Sequence, residues 1–376
     1  MTPIEMMNDF NRRYSNLGIK DDYKAMQKNY IDGKVKKGLF CDRVFVRDLR
    51  EVTTESILEV HKPALQKAFS RIDNLEGISE SAKYEQKITE ASRIEIKGRA
   101  ERNLGTLLFG TWRNSLGHYR LDDDIADQAL ASLIPSDTPT SIYTKLPEWC
   151  VYVEIPSSCD LEVTVLMEDK SEKDVKVIGF WAMHDKTDKD LNNADSNSDE
   201  NMRLNVFLHL DTTETYVRDN YLGTMLILPL SNSLTVHDAV KDYYYDQDED
   251  EQGALVGNFS VILSLLLWLC VEEPDITNME GIALSRQELM EPKYKRSKRA
   301  DVFIPPKEAT YYDIGKRLGS EMREYKARLH TDGAQRTGKK IRPHVRKGHW
   351  HGVWSGTGEN KIFSTYWQPA TFVNAK

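Results

Sequence analysis

The sequence predicts an α+β fold in three parts: a helical N-terminal region (residues 1–115), a central, mostly antiparallel sheet with packed helices (116–284), and a basic, strand-rich C-terminal region that completes the fold (285–376). Apolar residues recur at helical spacing in the first third, whereas in the middle they alternate with polar residues, as in half-buried strands. The last quarter is basic: residues 281–376 hold 20 Lys and Arg against 9 Asp and Glu, a net charge of +11, which leaves −19 for the rest of a chain whose total is −8.

The N-terminal third contains several helical patterns. Residues 53–69 carry apolar side chains at i, i+3 and i+4, and Pro63 is expected to kink or split that helix. Two further runs, about 79–97 and about 100–113, are predicted as separate helices. Asp122–Asp124 then place acids in the first turn of another helix, as the helix dipole favours.

The middle of the chain changes to the period of a β-strand. No helical pattern separates the strand candidates, which favours an antiparallel meander covered by helices. Residues 185–201 lie between two of the strands, have almost no apolar side chains and are predicted to form a loop. The five strand candidates are residues 150–156, 161–168, 175–183, 202–210 and 222–230.

Residues 254–271 form an uncharged stretch at the lower limit of a membrane span. Both flanks are acidic, so the stretch lacks the basic anchor of a spanning helix. Gly253, Gly257, Ser260 and Ser264 fall on one helical stripe that permits close packing. We therefore expect a helix buried against the sheet and no membrane partner.

The C-terminal region ends in two predicted strands, GHWHGVWSG and NKIFSTYWQPATFVN. On a strand, His349 and His351 share one face, while Trp350 and Trp354 share the other. In one interpretation the tryptophans belong to the core and the histidines line the rim of a groove. In the other, the aromatic residues stack on bases or on peptide side chains.

The same segment contains the candidate catalytic residues. His349 and His351 with His344 have the spacing of a zinc site, but no carboxylate or cysteine lies at metal-ligand spacing nearby, so we expect no metal and no cofactor. The alternative is an RNA nuclease that uses His344, His349 and His351 as general acid and base beside Arg346. The absence of an identifiable partner carboxylate makes an enzyme the less favoured interpretation.

Other features bear on the location and on polyanionic partners. The four cysteines show no CxxC spacing, and the first residues show no apolar core behind a basic end, which indicates a cytoplasmic protein without a signal peptide. The basic residues either form a patch that contacts RNA or pair with acidic residues such as Asp246–Glu251. They are Lys295, Arg296, Lys298, Arg299, Lys339, Lys340, Arg342, Arg346 and Lys347.

Three blocks of the sequence carry a family resemblance: LPEWCVYVEIP (146–156), RPHVRKGHWHGVWSG (342–356) and WQPATFVN (367–374). Together they resemble a type V-A anti-CRISPR family from bacterial mobile elements. The resemblance implies an inhibitor that recognises the N-terminal segment of the type V-A CRISPR effector during its synthesis and causes loss of its transcript and protein. It implies no established active site, and it makes the ribosome, messenger RNA and a host nuclease candidate partners.

A peptide-recognition function requires a sheet edge or a groove with side-chain pockets. We expect the peptide to lie in a cleft between the C-terminal region and the central sheet. The candidate peptide-binding residues are Trp350, Trp354, Tyr366, Trp367, His349 and His351.

Overall fold

The protein is described by a computed structural model. It covers residues 1–24, 52–130, 132, 134–166, 172–186, 202–211, 225–243, 249–291, 295–296, 303–304, 306–331, 344–346, 348–358, 361–368 and 371–373. The chain divides into two compact units. The first unit is Met1–Asn114 with Tyr294–Pro305, and the second unit is Ser115–Lys293 with Pro306–Lys376.

The predicted α+β class is confirmed. The helices are α1 (Pro3–Arg13), α2 (Thr54–Val60), α3 (Lys62–Asp73), α4 (Glu80–Trp112), α5 (Asp123–Leu130), α6 (Val236–Tyr243), α7 (Glu249–Cys270), α8 (Arg286–Leu289) and α9 (Lys316–Thr331), with 3-10 turns at Ser15–Leu17 and Thr140–Lys145. The strands are β1 (Gly117–Leu121), β2 (Cys150–Glu154), β3 (Glu162–Leu166), β4 (Glu172–Lys186), β5 (Met202–Leu210), β6 (Met225–Pro229), β7 (Ile276–Asn278), β8 (Lys295–Arg296), β9 (Phe303–Ile304), β10 (Thr310–Ile314), β11 (His344–Arg346), β12 (His349–Ser355), β13 (Ile362–Gln368) and β14 (Thr371–Val373).

The first unit is organised around α4, a continuous helix of 33 residues. The prediction of two helices here was wrong, because Gly98 and Gly105 lie inside the helix rather than at its ends. A Cβ atom at Gly98 would lie 2.5 Å from His61 Nε2, and one at Gly105 would overlap the Phe10 ring. Both glycines therefore allow neighbouring side chains to approach the α4 backbone, and packing offsets their low helix propensity.

The predicted interruption at Pro63 is confirmed. Helix α2 ends at Val60 and α3 begins at Lys62, so Pro63 lies in the first turn of a new helix, where its missing N–H costs no hydrogen bond. His61, between the two helices, lies 3.1 Å from the hydroxyl of Tyr14 through its Nε2 atom. Burial, together with the nearby Arg13 and Lys97, lowers the pKa of His61 to about 4.

The second unit contains a mixed sheet with the strand order β6-β5-β4-β2-β1-β10-β7, and β3 also pairs with β4. The five predicted strands correspond to β2–β6 and pair antiparallel, as expected. The meander is not the whole sheet, however, because β1 lies between β2 and β10 and is parallel to both. The sequence prediction missed β1, β7 and β10, strands of only three to five residues.

The apolar segment forms α7, and most of its described side chains are buried, while Ser260 and Val261 are half-buried. Its packing against the central sheet and the close contacts expected at Gly253 and Gly257 stay predictions. Phe259 and every residue of 262–271 are buried, Ser264 included. The helix lies beside α5, α6, the Thr140–Lys145 turn and β13. Within the described ranges, no helix has both the length and the apolar character needed to cross a bilayer.

Candidate functional site

The C-terminal strands form a two-stranded antiparallel ribbon. The pairs run from His344↔Val373 on β11 and β14 to His349↔Gln368 and Ser355↔Ile362 on β12 and β13, and all keep one register. Because side chains alternate along a strand, the β12–β13 part has two distinct faces. The inner face carries Trp350, Gly352, Trp354, Phe363, Thr365 and Trp367, and the outer face carries His349, His351, Val353, Ser355, Ile362, Ser364, Tyr366 and Gln368.

The inner face is attached to α7 by three tryptophans. The Trp350 ring lies 5.2 Å from the Trp268 ring and 5.1 Å from the Trp367 ring, and Trp268 and Trp367 are also 5.2 Å apart. Trp350 is only 3% exposed, and its Nε1–H donates to Ser264 Oγ at 2.8 Å. Ser264 and Trp268 are one helical turn apart, so a single face of α7 holds the ribbon.

Three further hydrogen bonds fix the ribbon within the second unit. At the start of β12, the Gly348 N–H donates to Gln128 Oε1 at 3.2 Å, and the Gly348 carbonyl accepts from Ser132 Oγ at 2.9 Å. On β13, the Phe363 carbonyl accepts from Lys145 Nζ at 3.4 Å. The ribbon is therefore held along both strands, while its tip projects beyond these contacts.

The outer face is open to solvent. Ile362 is 61% exposed, Tyr366 is 47% exposed and Val353 is 41% exposed. His349 and His351 are also exposed, and the His351 ring meets the Tyr366 ring edge-on at 5.0 Å. This combination of aromatic, aliphatic and imidazole groups on a fixed strand pair is a surface suited to binding rather than to packing within the chain.

The six predicted peptide-binding residues do not share one surface. Trp350 and Trp367 belong to the inner face and contact α7, whereas His349, His351 and Tyr366 lie on the outer face. The sixth, Trp354, is on the inner face near the tip, where it is 39% exposed and its ring lies 5.1 Å from the Phe363 ring. The ribbon thus separates structural tryptophans from the residues that can meet a partner.

The candidate nuclease residues lie on two different strands. His349 and His351 project from the outer face, and His344 and Arg346 lie on β11, of which the backbone is described. In the part of the chain that the structure describes, no group of three or more His, Cys, Asp or Glu is placed to hold a metal ion. The described ribbon residues, 348–358 and 361–368, themselves supply no Asp or Glu beside these histidines.

The basic residues lie largely beyond the described ranges. Lys295 and Arg296 form β8, which pairs with β9 in the first unit. Of the acidic segment Asp246–Glu251, the last three residues begin α7. The RNA-contact interpretation of the basic residues and their pairing with acids both remain predictions. Outside the described residues lie Lys298, Arg299, Lys339, Lys340, Arg342 and Lys347.

Sequence reasoning missed a charged row on the second unit's sheet. Asp313, Arg120 and Glu154 lie side by side at the carboxyl ends of the parallel strands β10, β1 and β2. Arg120 Nη2 lies 2.7 Å from Asp313 Oδ1, and its guanidinium is 5.3 Å from the centre of the Tyr311 ring. The only sequence signal was the alternation in GHYRL, which is too short to identify a strand.

His118 completes this row. Its Nε2 lies 2.5 Å from Glu154 Oε2, and this hydrogen bond lowers the pKa of the Glu154 carboxyl. The His118 ring also contacts the rings of Tyr311 at 4.6 Å and Tyr152 at 4.8 Å. Asp313, Arg120 and Glu154 therefore each have a partner of opposite charge or a hydrogen bond. A buried or half-buried charge network between parallel strands requires such pairing.

Comparisons with known proteins agree on one relationship. The sequence model of the "AcrVA2-like: Anti-CRISPR type V subtype A2 family" matches residues 119–375. The crystal structure of AcrVA2 is similar at a TM-score of 0.61 and 30% identity, over 99% of this chain and 98% of that chain. A search of curated proteins finds no match.

Proposed function

Because the chain belongs to the anti-CRISPR type V subtype A2 family, we propose that it inhibits the type V-A CRISPR effector by recognising a peptide segment of that nuclease. The segment is the N-terminal one, bound while it is synthesised, and the result is loss of the effector's transcript and protein. In this proposal the chain itself supplies recognition and not catalysis, and the degradation of the transcript falls to a partner such as a host nuclease.

The observation that carries the proposal is the outer face of the ribbon. Tyr366, Ile362 and Val353 are exposed on a strand pair that the inner face anchors to α7 through Trp350. A fixed aromatic and aliphatic surface loses little conformational entropy on binding, and a flat strand pair suits an extended peptide. The described ribbon residues, 348–358 and 361–368, include no Asp or Glu, so nothing on them repels an acidic or neutral peptide.

A co-expression assay distinguishes peptide recognition from RNA recognition. The first codons of the effector are fused to a fluorescent reporter in three versions: native, synonymously recoded, and frameshifted with the frame restored before the reporter. We expect this protein to lower the transcript and protein of the native and recoded reporters but not of the frameshifted one. Loss that follows the RNA sequence instead, or no loss at all, would overturn the proposal.

A direct binding measurement locates the site. Purified full-length protein is titrated with a synthetic peptide of the effector's first residues, and Tyr366→Ala is compared with Tyr84→Ala. Tyr84 is a matched control because it is 66% exposed on α4 of the first unit. We expect Tyr366→Ala to weaken binding about tenfold, as loss of an aromatic anchor does, and Tyr84→Ala to leave it unchanged. Equal affinities for the two variants would place the binding surface elsewhere.

The nuclease alternative predicts a different result from the same reagents. If His344, His349, His351 and Arg346 cleave RNA directly, purified protein should degrade the reporter transcript without ribosomes or extract. A His349→Ala, His351→Ala double variant should then lose that cleavage while keeping its affinity for the peptide. We expect no cleavage by purified protein, because the described ribbon residues 348–358 and 361–368 include no Asp or Glu to serve as the carboxylate partner of an acid–base histidine.

A further inference from the structure

The two edges of the ribbon differ in what they contact. The Gly348 N–H points at Gln128 of α5 and its carbonyl at Ser132, which follows α5, and both therefore point away from the partner strand. In an antiparallel pair, alternate residues direct their backbone groups to the same edge. Gly352 and Trp354, at even spacing from Gly348, consequently direct their N–H and carbonyl groups to the outer edge of β12.

On β13, the corresponding edge is occupied. The Phe363 carbonyl, opposite Trp354 in the register, accepts a hydrogen bond from Lys145 Nζ. Helix α7 also lies beside β13. This edge of β13 is therefore partly covered at Phe363.

Among the described residues, none covers the edge of β12 beyond Trp350 in this way. Val353, Trp354 and Ser355 are exposed and Gly352 is half-buried. Across the described ranges, no backbone hydrogen bond of Gly352 or Trp354 leads outside the ribbon. The N–H and carbonyl groups of Gly352 and Trp354 are therefore four backbone groups available for pairing at one sheet edge. Such an edge is a template for another strand.

We propose that the recognised peptide adds to this edge as a third strand, paired with Gly352 and Trp354. The proposal rests on the proposed function and specifies how its peptide is bound. The open edge from Gly352 to Ser355 is four residues, or about 13 Å at the rise of an antiparallel strand. The peptide therefore contributes a core of about four extended residues, and main-chain hydrogen bonds supply much of the affinity.

The two faces of the ribbon determine the chemistry of this peptide. Its side chains alternate between the level of Trp354 and Phe363 on the inner face and the level of Val353 and His351 on the outer face. On the outer face the His351 ring packs edge-on against Tyr366, so a peptide side chain at that level meets both rings. The Phe363 ring covers Gly352, so a peptide side chain at that position meets an aromatic surface. Apolar or aromatic residues fit both faces.

The charged groups near this edge further limit which side chains the peptide can carry. Lys361 is exposed at the start of the β13 side, and His349 and His351 are exposed on the outer face. No carboxylate lies among the described ribbon residues 348–358 and 361–368 to receive a basic side chain. The occupant is accordingly an apolar extended segment that carries neutral or acidic polar residues, and lysine or arginine within its core weakens binding.

A backbone scan of the peptide tests strand addition. Each residue of the synthetic N-terminal effector peptide is replaced in turn by its N-methyl form, and the affinity for the full-length protein is measured by calorimetry. In a strand, only every second N–H faces the neighbouring strand. We expect N-methylation to weaken binding at least about tenfold at alternate positions of a four-residue core, since each removes a hydrogen bond and adds a clash, and to have little effect between them.

A pair of protein variants provides the matching test. Trp354→Ala removes the side chain alone, whereas Trp354→Pro also removes the N–H at the edge while leaving the ladder to β13 intact. We expect the proline variant to bind at least about tenfold more weakly than the alanine variant, with both showing the same thermal melting profile. If the proline variant melts at a lower temperature than the alanine variant, its weaker binding could reflect lost stability. The peptide scan then decides between the two causes, because it leaves the protein unchanged.

The outcomes separate this inference from the function on which it rests. If the unmodified peptide binds but N-methylation shows no alternation, strand addition is wrong while peptide recognition stands. If the unmodified peptide does not bind and the reporter assay shows no peptide-dependent loss, the proposed function fails and strand addition fails with it.

Discussion

The inner and outer faces of the C-terminal ribbon are made from the same two strands, but they have different roles. Trp350 on the inner face is buried against Trp268 of α7, whereas Tyr366, one position away from Trp367, is half exposed on the outer face. The inner face is the more aromatic, with three tryptophans and Phe363, whereas the outer face mixes Tyr366, Ile362 and Val353 with polar side chains. The two faces also differ in cover, because α7 packs on the inner face and no described element covers the outer one.

This difference means that residues that stabilise the fold and residues available for binding can alternate along one strand. Because side chains alternate, a change on β12 acts on the packing with α7 or on the exposed surface, depending only on the parity of its position. Substitutions at neighbouring positions should therefore have unequal effects on the free energy of unfolding. The following predictions test that separation.

The largest effect is expected for Trp350→Ala. The substitution removes a fully packed indole and leaves a cavity between α7 and the ribbon, which typically costs about 3–5 kcal/mol. Urea unfolding monitored by circular dichroism measures this change. The neighbouring His351→Ala, on the exposed face, should change the free energy of unfolding by less than about 0.5 kcal/mol. Equal effects of the two substitutions would remove the distinction between the faces.

Gly352→Ala is expected to cost about 2 kcal/mol, in the range for an overpacked site. A Cβ atom at this position would lie 2.5 Å from Cζ of Phe363, well inside van der Waals contact. The Phe363 ring must then turn or the strands must separate. A second substitution, Phe363→Leu, shortens the opposing side chain, so the cost of Gly352→Ala should be smaller in that background. A cost that is the same in both backgrounds would mean that the ring is not its cause.

These faces illustrate what the sequence predicts and what it does not. Alternation correctly placed His349 and His351 on one face and Trp350 and Trp354 on the other. One interpretation of the sequence placed the tryptophans in the core, which holds for Trp350, at 3% exposed, but not for Trp354, at 39%. The alternation could not show which part of the chain covers that face. The cover comes from Ser264 and Trp268 of α7, more than 80 residues away from Trp350 in the sequence, and no local pattern contains it.

The mixed sheet of the second unit shows the same limit of prediction from local sequence patterns. Strands β2–β6 have clear periodicity and follow one another, so local pattern and hairpin connections were sufficient to predict them. Strand β1 has five residues and both its neighbours, β2 and β10, are parallel to it. Its pairing with β10 joins residues almost 200 positions apart, and the charged row formed by Arg120, Asp313 and Glu154 exists only once those strands meet.

Ser264→Ala is expected to have a smaller effect, about 1 kcal/mol or slightly more. The substitution leaves the Trp350 Nε1–H buried without the acceptor that Ser264 Oγ provides at 2.8 Å, and an unsatisfied buried donor is destabilising. A double-mutant cycle with Trp350→Phe isolates the hydrogen bond, since phenylalanine has no N–H to lose. Ser264→Ala should cost less in that background. Additive costs would show that the hydrogen bond contributes nothing to anchoring the ribbon.

The smallest effect is expected for Ile362→Thr on the outer face. Ile362 is 61% exposed, and threonine keeps the β-branched shape that a strand favours, so the free energy of unfolding should change by no more than about 0.5 kcal/mol. The measurement is the same urea titration, compared directly with Trp350→Ala. A loss above about 2 kcal/mol, of the size seen when core side chains are truncated, would mean that another part of the chain covers this face. The outer face would then be part of the folded core, and an incoming peptide would have to displace that cover before it could bind.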